Sequence, residues 1–346
     1  MSSPAHAFNI RLPDSALHAY AQRYCFLNGP DPTLNQRLRQ AVLDSTVPLA
    51  DEHDDARITF VSLDTLRQIE DDLRTRLQIP AQFNLSARTV HEWILNLGWK
   101  VAAIPRRAQA VLVIGSATCR EAIFIRHYLP QARIVCADFA DERLADVERA
   151  LDIEFVHGDF NDLLASREGS FDVVFSNHVL EHLFDPGRTL RLARRALTSG
   201  GYLVAALPLD GQPTAPFSDV LNARALHPLD MCTVDVAHGW KTNVTALVRE
   251  LHAAGFVDSR FTGRDGYFSY ANRMYADRRT FQRRARRGLF LNRLLFASTR
   301  AVLKRVFPTD VPAVVSKAVF GVEQRVWFGS NRLKNEFSVE CLVVAR

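Results

Sequence analysis

The sequence predicts a doubly wound α/β domain with a mostly parallel sheet. Two observations carry that expectation. Five short apolar runs recur between residues 111 and 207, and the first four each lead into a small or polar residue. Helix-like segments lie between most of them, giving a β-α-β-α-β order. Runs this short, rich in Val, Ile and Phe, read as strands buried on both faces of a sheet.

In chain order, residues 1 to about 105 read as a largely helical region. Leu63, Leu66, Ile69, Leu73 and Leu77 recur at helical spacing, with Ser62 as the N-cap. Ser86 caps a second helix through Trp93, Ile94 and Leu97, with Gly98 near its end. Pro105, Arg106 and Arg107 then mark a boundary before the first core strand. The first run, residues 111–114, leads into Gly115, Ser116 and Ala117. The second ends at Asp138, the third at Gly158 and Asp159, and the fourth at Asn177. The fifth, residues 202–207, stops at Pro208. Residues 209–241 form a long loop-rich stretch, a length that is often functional in a compact domain. Residues 243–254 read as an amphipathic helix ending at Gly255. Residues 256–261 and 337–344 supply a sixth and a seventh strand, with an insertion at about 263–336 between them.

Composition narrows the class. The 346 residues suffice for one large domain or two ordinary ones. No apolar run reaches the length of a membrane span, and no signal peptide is evident at the N-terminus. The five cysteines are scattered, which fits neither a disulfide framework nor a zinc site. A reducing, cytoplasmic setting is expected, and no metal. Residues 278–305 hold ten Arg or Lys and no acid, which more than accounts for the net charge of +5. These cations alternate with Leu291, Leu294, Leu295 and Val302. Such a stretch lies on an anionic membrane surface, contacts nucleic acid phosphates, or packs its apolar face on the domain.

In open α/β sheets, ligands bind beyond the carboxyl ends of the strands, where Gly115, Asp138, Asp159 and Asn177 fall. The run from Phe171 to Pro186 (FDVVFSNHVLEHLFDP) and the run from Leu197 to Val204 (LTSGGYLV) are the most specific part of the pattern. With His238 to Asn243 and Ala253 to Phe256, they resemble the small-molecule branch of the class I S-adenosylmethionine-dependent methyltransferases. The resemblance covers roughly residues 108–262 and the last strand. It implies a seven-stranded Rossmann-like fold, with a helical region at 1–105 and the methyltransferase domain at 106–346.

The resemblance also implies S-adenosylmethionine as cofactor, with Gly115, Ser116 and Ala117 in its binding loop. Asp138 would accept from the ribose hydroxyls, or otherwise cap the next helix. Asp159 would meet the adenine amino group, or act as a cap or turn residue. Phe139 and Phe160 would cover the adenine, or belong to the core. Asn177 would complete the cofactor site. The loop departs from the family pattern. Val113 stands at the usual acidic position, and Ala117 and Cys119 replace two glycines. The methionine ammonium therefore lacks its usual carboxylate, and Glu121 at the start of the next helix is the nearby replacement.

His178 is the candidate catalytic residue. It follows the fourth strand, and histidine can take a proton near neutral pH. His182, one turn on, reads as structural. His227 and His238 are weaker candidates for acceptor binding. The expected acceptor is a small molecule or a lipid- or glycan-linked molecule rather than nucleic acid, since no RNA-binding module is evident. The basic insertion adds an expected peripheral contact with an anionic membrane, at its inner surface. The alternative is a catalytically silent binding or scaffold protein.

Overall fold

The computed structural model describes residues 12–23, 30–43, 58–140, 145–183, 185–208, 240, 244–264, 302, 305–306 and 340–346. Most of the basic stretch at 278–305, the loop at 209–239, His227 and His238 lie outside the described residues.

The N-terminal region begins with α1 (Ser15–Arg23) and α2 (Pro32–Leu43), then a short strand β1 (Ile58–Phe60). Helix α3 (Leu63–Arg76) starts where the sequence places it, with Ser62 Oγ accepting from the Thr65 N–H at 3.0 Å. Helix α4 (Ala87–Val101) is capped the same way by Ser86, which accepts from the Thr89 N–H at 3.2 Å. Gly98 lies near the end of α4, as expected, and its carbonyl accepts from the Ala102 N–H. A Cβ there would sit 2.5 Å from Leu73 Cδ1, so the missing side chain lets α3 and α4 pack closely.

The sheet strands alternate with helices as expected. They are β2 (Ala110–Ile114), α5 (Arg120–Tyr128), β3 (Arg133–Asp138), α6 (Ala145–Leu151), β4 (Ile153–His157), α7 (Phe160–Ser166) and β5 (Phe171–Asn177). A single 3-10 turn (Leu180–His182) leads to α8 (Pro186–Ala196), capped by Asp185 with Pro186 in its first turn. Strand β6 (Leu197–Pro208) is longer than the run that marks it in the sequence. Helix α9 (Val244–Ala253), β7 (Ser259–Arg264) and β8 (Glu340–Ala345) complete the described chain.

The strand order is β1-β7-β8-β6-β5-β2-β3-β4. The expected seven strands are all present, and β1 adds an eighth at one edge, parallel to β7. Only β8 runs antiparallel to its neighbours. Each central strand is buried on both faces. In β5, Val173 and Phe175 face a cluster built with Leu73, Ile94 and Ile123, while Phe171 and Val174 face one built with Leu164, Leu190 and Leu247. The N-terminal helices thus share a core with the sheet. Among the described residues, no helix is long and apolar enough to cross a membrane.

Candidate active site

The strand order reverses between β2 and β5, whose carboxyl ends flank a crevice. Gly115 closes β2 at φ +65°, and a Cβ there would lie 2.2 Å from Val179 Cγ2. Only glycine permits this backbone path beneath Val179. The Gly115 and Ser116 N–H groups both donate to the Ala137 carbonyl, at 2.8 and 3.2 Å.

Ala117 and Cys119 hold φ of 43° and 60°, the left-handed region glycine enters freely. The loop therefore keeps its glycine shape without two of its glycines, at a cost of about 1 kcal/mol each. Asp138 holds it there. Its Oδ2 accepts from the Ala117 N–H at 2.7 Å, and its Oδ1 from the Ala140 N–H at 2.9 Å. Ser116 is buried, and its carbonyl accepts from the Cys119 N–H at 2.7 Å. The hydrogen bond between the Cys119 and Cys136 thiols holds Cys119 below the usual thiol range and pushes Cys136 above it.

Asp159 takes the capping role the sequence allows, with one of its two oxygens. Its Oδ1 caps α7 by accepting from the Asn161 N–H at 2.8 Å. Its Oδ2 is buried and has no hydrogen-bond partner among the described residues. That burial pushes the carboxyl above its ordinary value. Phe160 belongs to the core at 2% exposure, and its ring meets half-buried Phe139 edge-on, with centroids 5.3 Å apart.

Asn177, at the end of β5, joins two charged side chains that the sequence does not bring together. Lys100 of α4, 2% exposed, donates from Nζ to Asn177 Oδ1 at 2.7 Å. Asn177 Nδ2 donates to Glu121 Oε1 at 3.0 Å. Lysine can only donate, so it fixes which way the Asn177 amide faces. Arg120 Nε lies 3.6 Å from the same Glu121 oxygen. Glu121 is 3% exposed, and its Oε2 has no hydrogen-bond partner among the described residues.

His178 follows at φ 56°, a strained backbone for a residue with a side chain. Its N–H donates to the Ala206 carbonyl at 2.8 Å, which anchors it to β6. Its Nδ1 lies 2.9 Å from Glu181 Oε1, and a carboxylate accepts, so Nδ1 carries the proton. The His178 side chain is 46% exposed and that of Glu181 is 1% exposed. Glu181 is fixed in turn by its carbonyl, which accepts from the Trp240 N–H at 3.0 Å. His182 ends the same 3-10 turn.

Residues 112–205 match the family model described as a methyltransferase domain. Over those residues the chain is similar to a methyltransferase domain. It is 39% identical over 59 residues to a ubiquinone biosynthesis O-methyltransferase of Caulobacter sp. (strain K31), covering 17% of this chain and 23% of that protein. The counterpart from Caulobacter vibrioides is 41% identical over 59 residues, with the same coverage. The match thus spans about a quarter of the length of these curated relatives. A solved S-adenosylmethionine-dependent methyltransferase from Archaeoglobus fulgidus is similar at 14% identity and a TM-score of 0.41, covering 77% of this chain and 96% of that one.

Within the matched residues, Val113 is 1% exposed and sits in register with Cys136 and Phe175. No carboxylate could occupy that place without entering apolar core. Lys100 and Glu181 were not legible as site residues. A lysine on a helix ordinarily marks the solvated face, and Glu181 stands in the sequence as one acid between His178 and His182. Its three-residue spacing from His178 was the available signal.

Proposed function

We propose that this chain transfers a methyl group from S-adenosylmethionine to a hydroxyl of a small-molecule or lipid- or glycan-linked acceptor. The observation that carries the reading is the convergence at one sheet edge of the Gly115 cradle, a spare oxygen on Asp159 and a histidine held by a carboxylate. Gly115, Ser116 and Ala117 would let the cofactor approach the backbone. Asp138 uses one lone pair on each oxygen for the loop and keeps others for ribose hydroxyls. Asp159 Oδ2 suits the adenine amino group, and Phe139 one edge of the ring. Asn177 lines the crevice between them.

When bound, the cofactor supplies a methyl on a sulfonium that leaves as a neutral thioether. The chain's own work is positioning and proton removal. Glu181 holds the His178 Nδ1–H, so Nε2 is the basic nitrogen. It takes the hydroxyl proton as the acceptor oxygen forms its bond to the methyl carbon. The resulting imidazolium is stabilised by Glu181. The relatives named for O-methyl transfer favour an oxygen acceptor.

The test is calorimetric titration with S-adenosylhomocysteine, followed by labelled methyl transfer to a panel of hydroxylated acceptors. Binding together with product that His178→Ala abolishes supports the reading. Binding with no product on any acceptor, or no binding at all, overturns the reading and favours a catalytically silent binding or scaffold protein. We propose further that the basic stretch at 278–305 draws the enzyme to anionic membranes. Co-sedimentation with phosphatidylglycerol vesicles that fails even at low salt overturns that part.

A further inference from the structure

We infer that Glu121 is the receptor for the primary ammonium of the cofactor's amino-acid end, a role that rests on the cofactor reading above. Glu121 Oε2 is buried and has no hydrogen-bond partner among the described residues, although the residue is only 3% exposed. A buried oxygen left this way is costly, and native structures usually account for it by a ligand or a bound water.

Its surroundings select a cation. The other oxygen, Oε1, is already committed to Asn177 Nδ2 at 3.0 Å. That amide cannot turn to offer its oxygen instead, because Lys100 Nζ holds Oδ1 at 2.7 Å. The carboxyl group is therefore pinned through Oε1, while Oε2 keeps its hydrogen-bonding capacity unused among the described residues. A neutral amine or a hydroxyl would donate one hydrogen bond. A primary ammonium adds charge as well, and such charge-assisted bonds are roughly twice as strong.

The placement is that of the crevice mouth. Glu121 lies in the first turn of α5, directly after the Gly115 loop. Its partner Asn177 ends β5, the strand across the switch point from β2. Asn177 follows Val173 and Phe175 on the sheet face that also carries Val113. Glu121 thus brings a carboxylate to the rim of the face whose interior position is filled by Val113. Lys100 comes from the N-terminal region, so α4 is a working wall of the site, and Arg120 Nε lies 3.6 Å from the same Glu121 Oε1.

The test compares three ligands on the full chain by calorimetry. They are S-adenosylhomocysteine, its desamino analogue, and 5′-methylthioadenosine, which keeps the nucleoside and thioether but lacks the amino acid. On the unaltered protein, the desamino analogue is expected to bind at least about tenfold more weakly than S-adenosylhomocysteine. Glu121→Gln should weaken S-adenosylhomocysteine by a similar factor and leave 5′-methylthioadenosine unchanged. Equal binding of the amino and desamino compounds overturns the inference without needing any variant. So does an E121Q protein, folded by its thermal transition, that binds S-adenosylhomocysteine as the parent does. Failure of the parent to bind any of the three overturns the cofactor reading itself.

Discussion

Lys100 Nζ donates to Asn177 Oδ1 at 2.7 Å, a hydrogen bond between residues 77 positions apart. Both side chains are buried, at 2% and 8% exposure, and the bond ties the last turn of α4 to the carboxyl end of β5. It also sets the charge balance beside Glu121.

Replacing Lys100 with Met keeps the side-chain length and removes the cation. Glu121 then stays buried with only Arg120, 43% exposed and 3.6 Å away, as a cation beside it. Such one-sided removal costs about 3–5 kcal/mol. Urea unfolding should show that loss, and K100M combined with E121Q should recover part of it. Additive losses in the double variant would show that the two charges do not act together.

Val113→Asp should destabilise the fold rather than sharpen cofactor binding. Val113 is 1% exposed and packs among the residues of β3, β5 and α5. An unpaired carboxylate there costs several kcal/mol, about the stability of many domains. A large drop in thermal midpoint is the expected result. A stable V113D protein with tighter cofactor binding would contradict the packing.

Ala117→Gly should stabilise the protein. Ala117 pays for φ 43°, whereas glycine does not, although glycine loses more freedom on folding. The balance is a gain of about 0.5–1 kcal/mol. The N–H that donates to Asp138 is retained, so the loop keeps its anchor. Urea unfolding checks the sign, and an unchanged or lower midpoint would mean the loop is not strained.

Asp159→Asn should raise stability at neutral pH while weakening the cofactor. Burial lifts the folded carboxyl above its ordinary value of 3.8, so the folded chain holds this proton more tightly than the unfolded one. Its contribution is full below 3.8 and is lost as pH rises through the raised folded value. Asparagine caps a helix about as well as aspartate and removes that dependence. It would also put an N–H donor or a neutral oxygen where Asp159 presents Oδ2. Unfolding at mildly acidic and neutral pH, with parallel titration of S-adenosylhomocysteine, separates the two effects.

What could be read in the sequence was local or periodic. Ser62 and Ser86 announce their helices because an N-cap acts within three residues. Strands β2 to β6 were visible because strands buried on both faces are unbroken apolar runs. Strand β1 was not, since three residues show no period and its partner in β7 lies about two hundred positions later. Gly98 marked the end region of α4 because glycine commonly sits there, but its packing against Leu73 of another helix was not visible. The positions of Gly115, Asp138, Asp159, Asn177 and His178 were legible as strand ends. Their partners were not. Lys100 and Glu181 act through contacts that depend on how α4 and the turn after β5 are placed in space.

The sheet order carries a consequence for how the chain is assembled during synthesis. The five strands β2 to β6 come from one continuous stretch and can pair as soon as it is made. The other half cannot. Strand β8 (Glu340–Ala345) lies between β6 and β7 and is made well after both. Strand β1 (Ile58–Phe60) pairs only with β7 among the described strands, so it waits unpaired until β7 exists. Parallel and distant pairings of this kind form slowly and leave unpaired edges exposed meanwhile. The sheet is therefore completed only once β8 has been made, with its earliest strand among the last to dock.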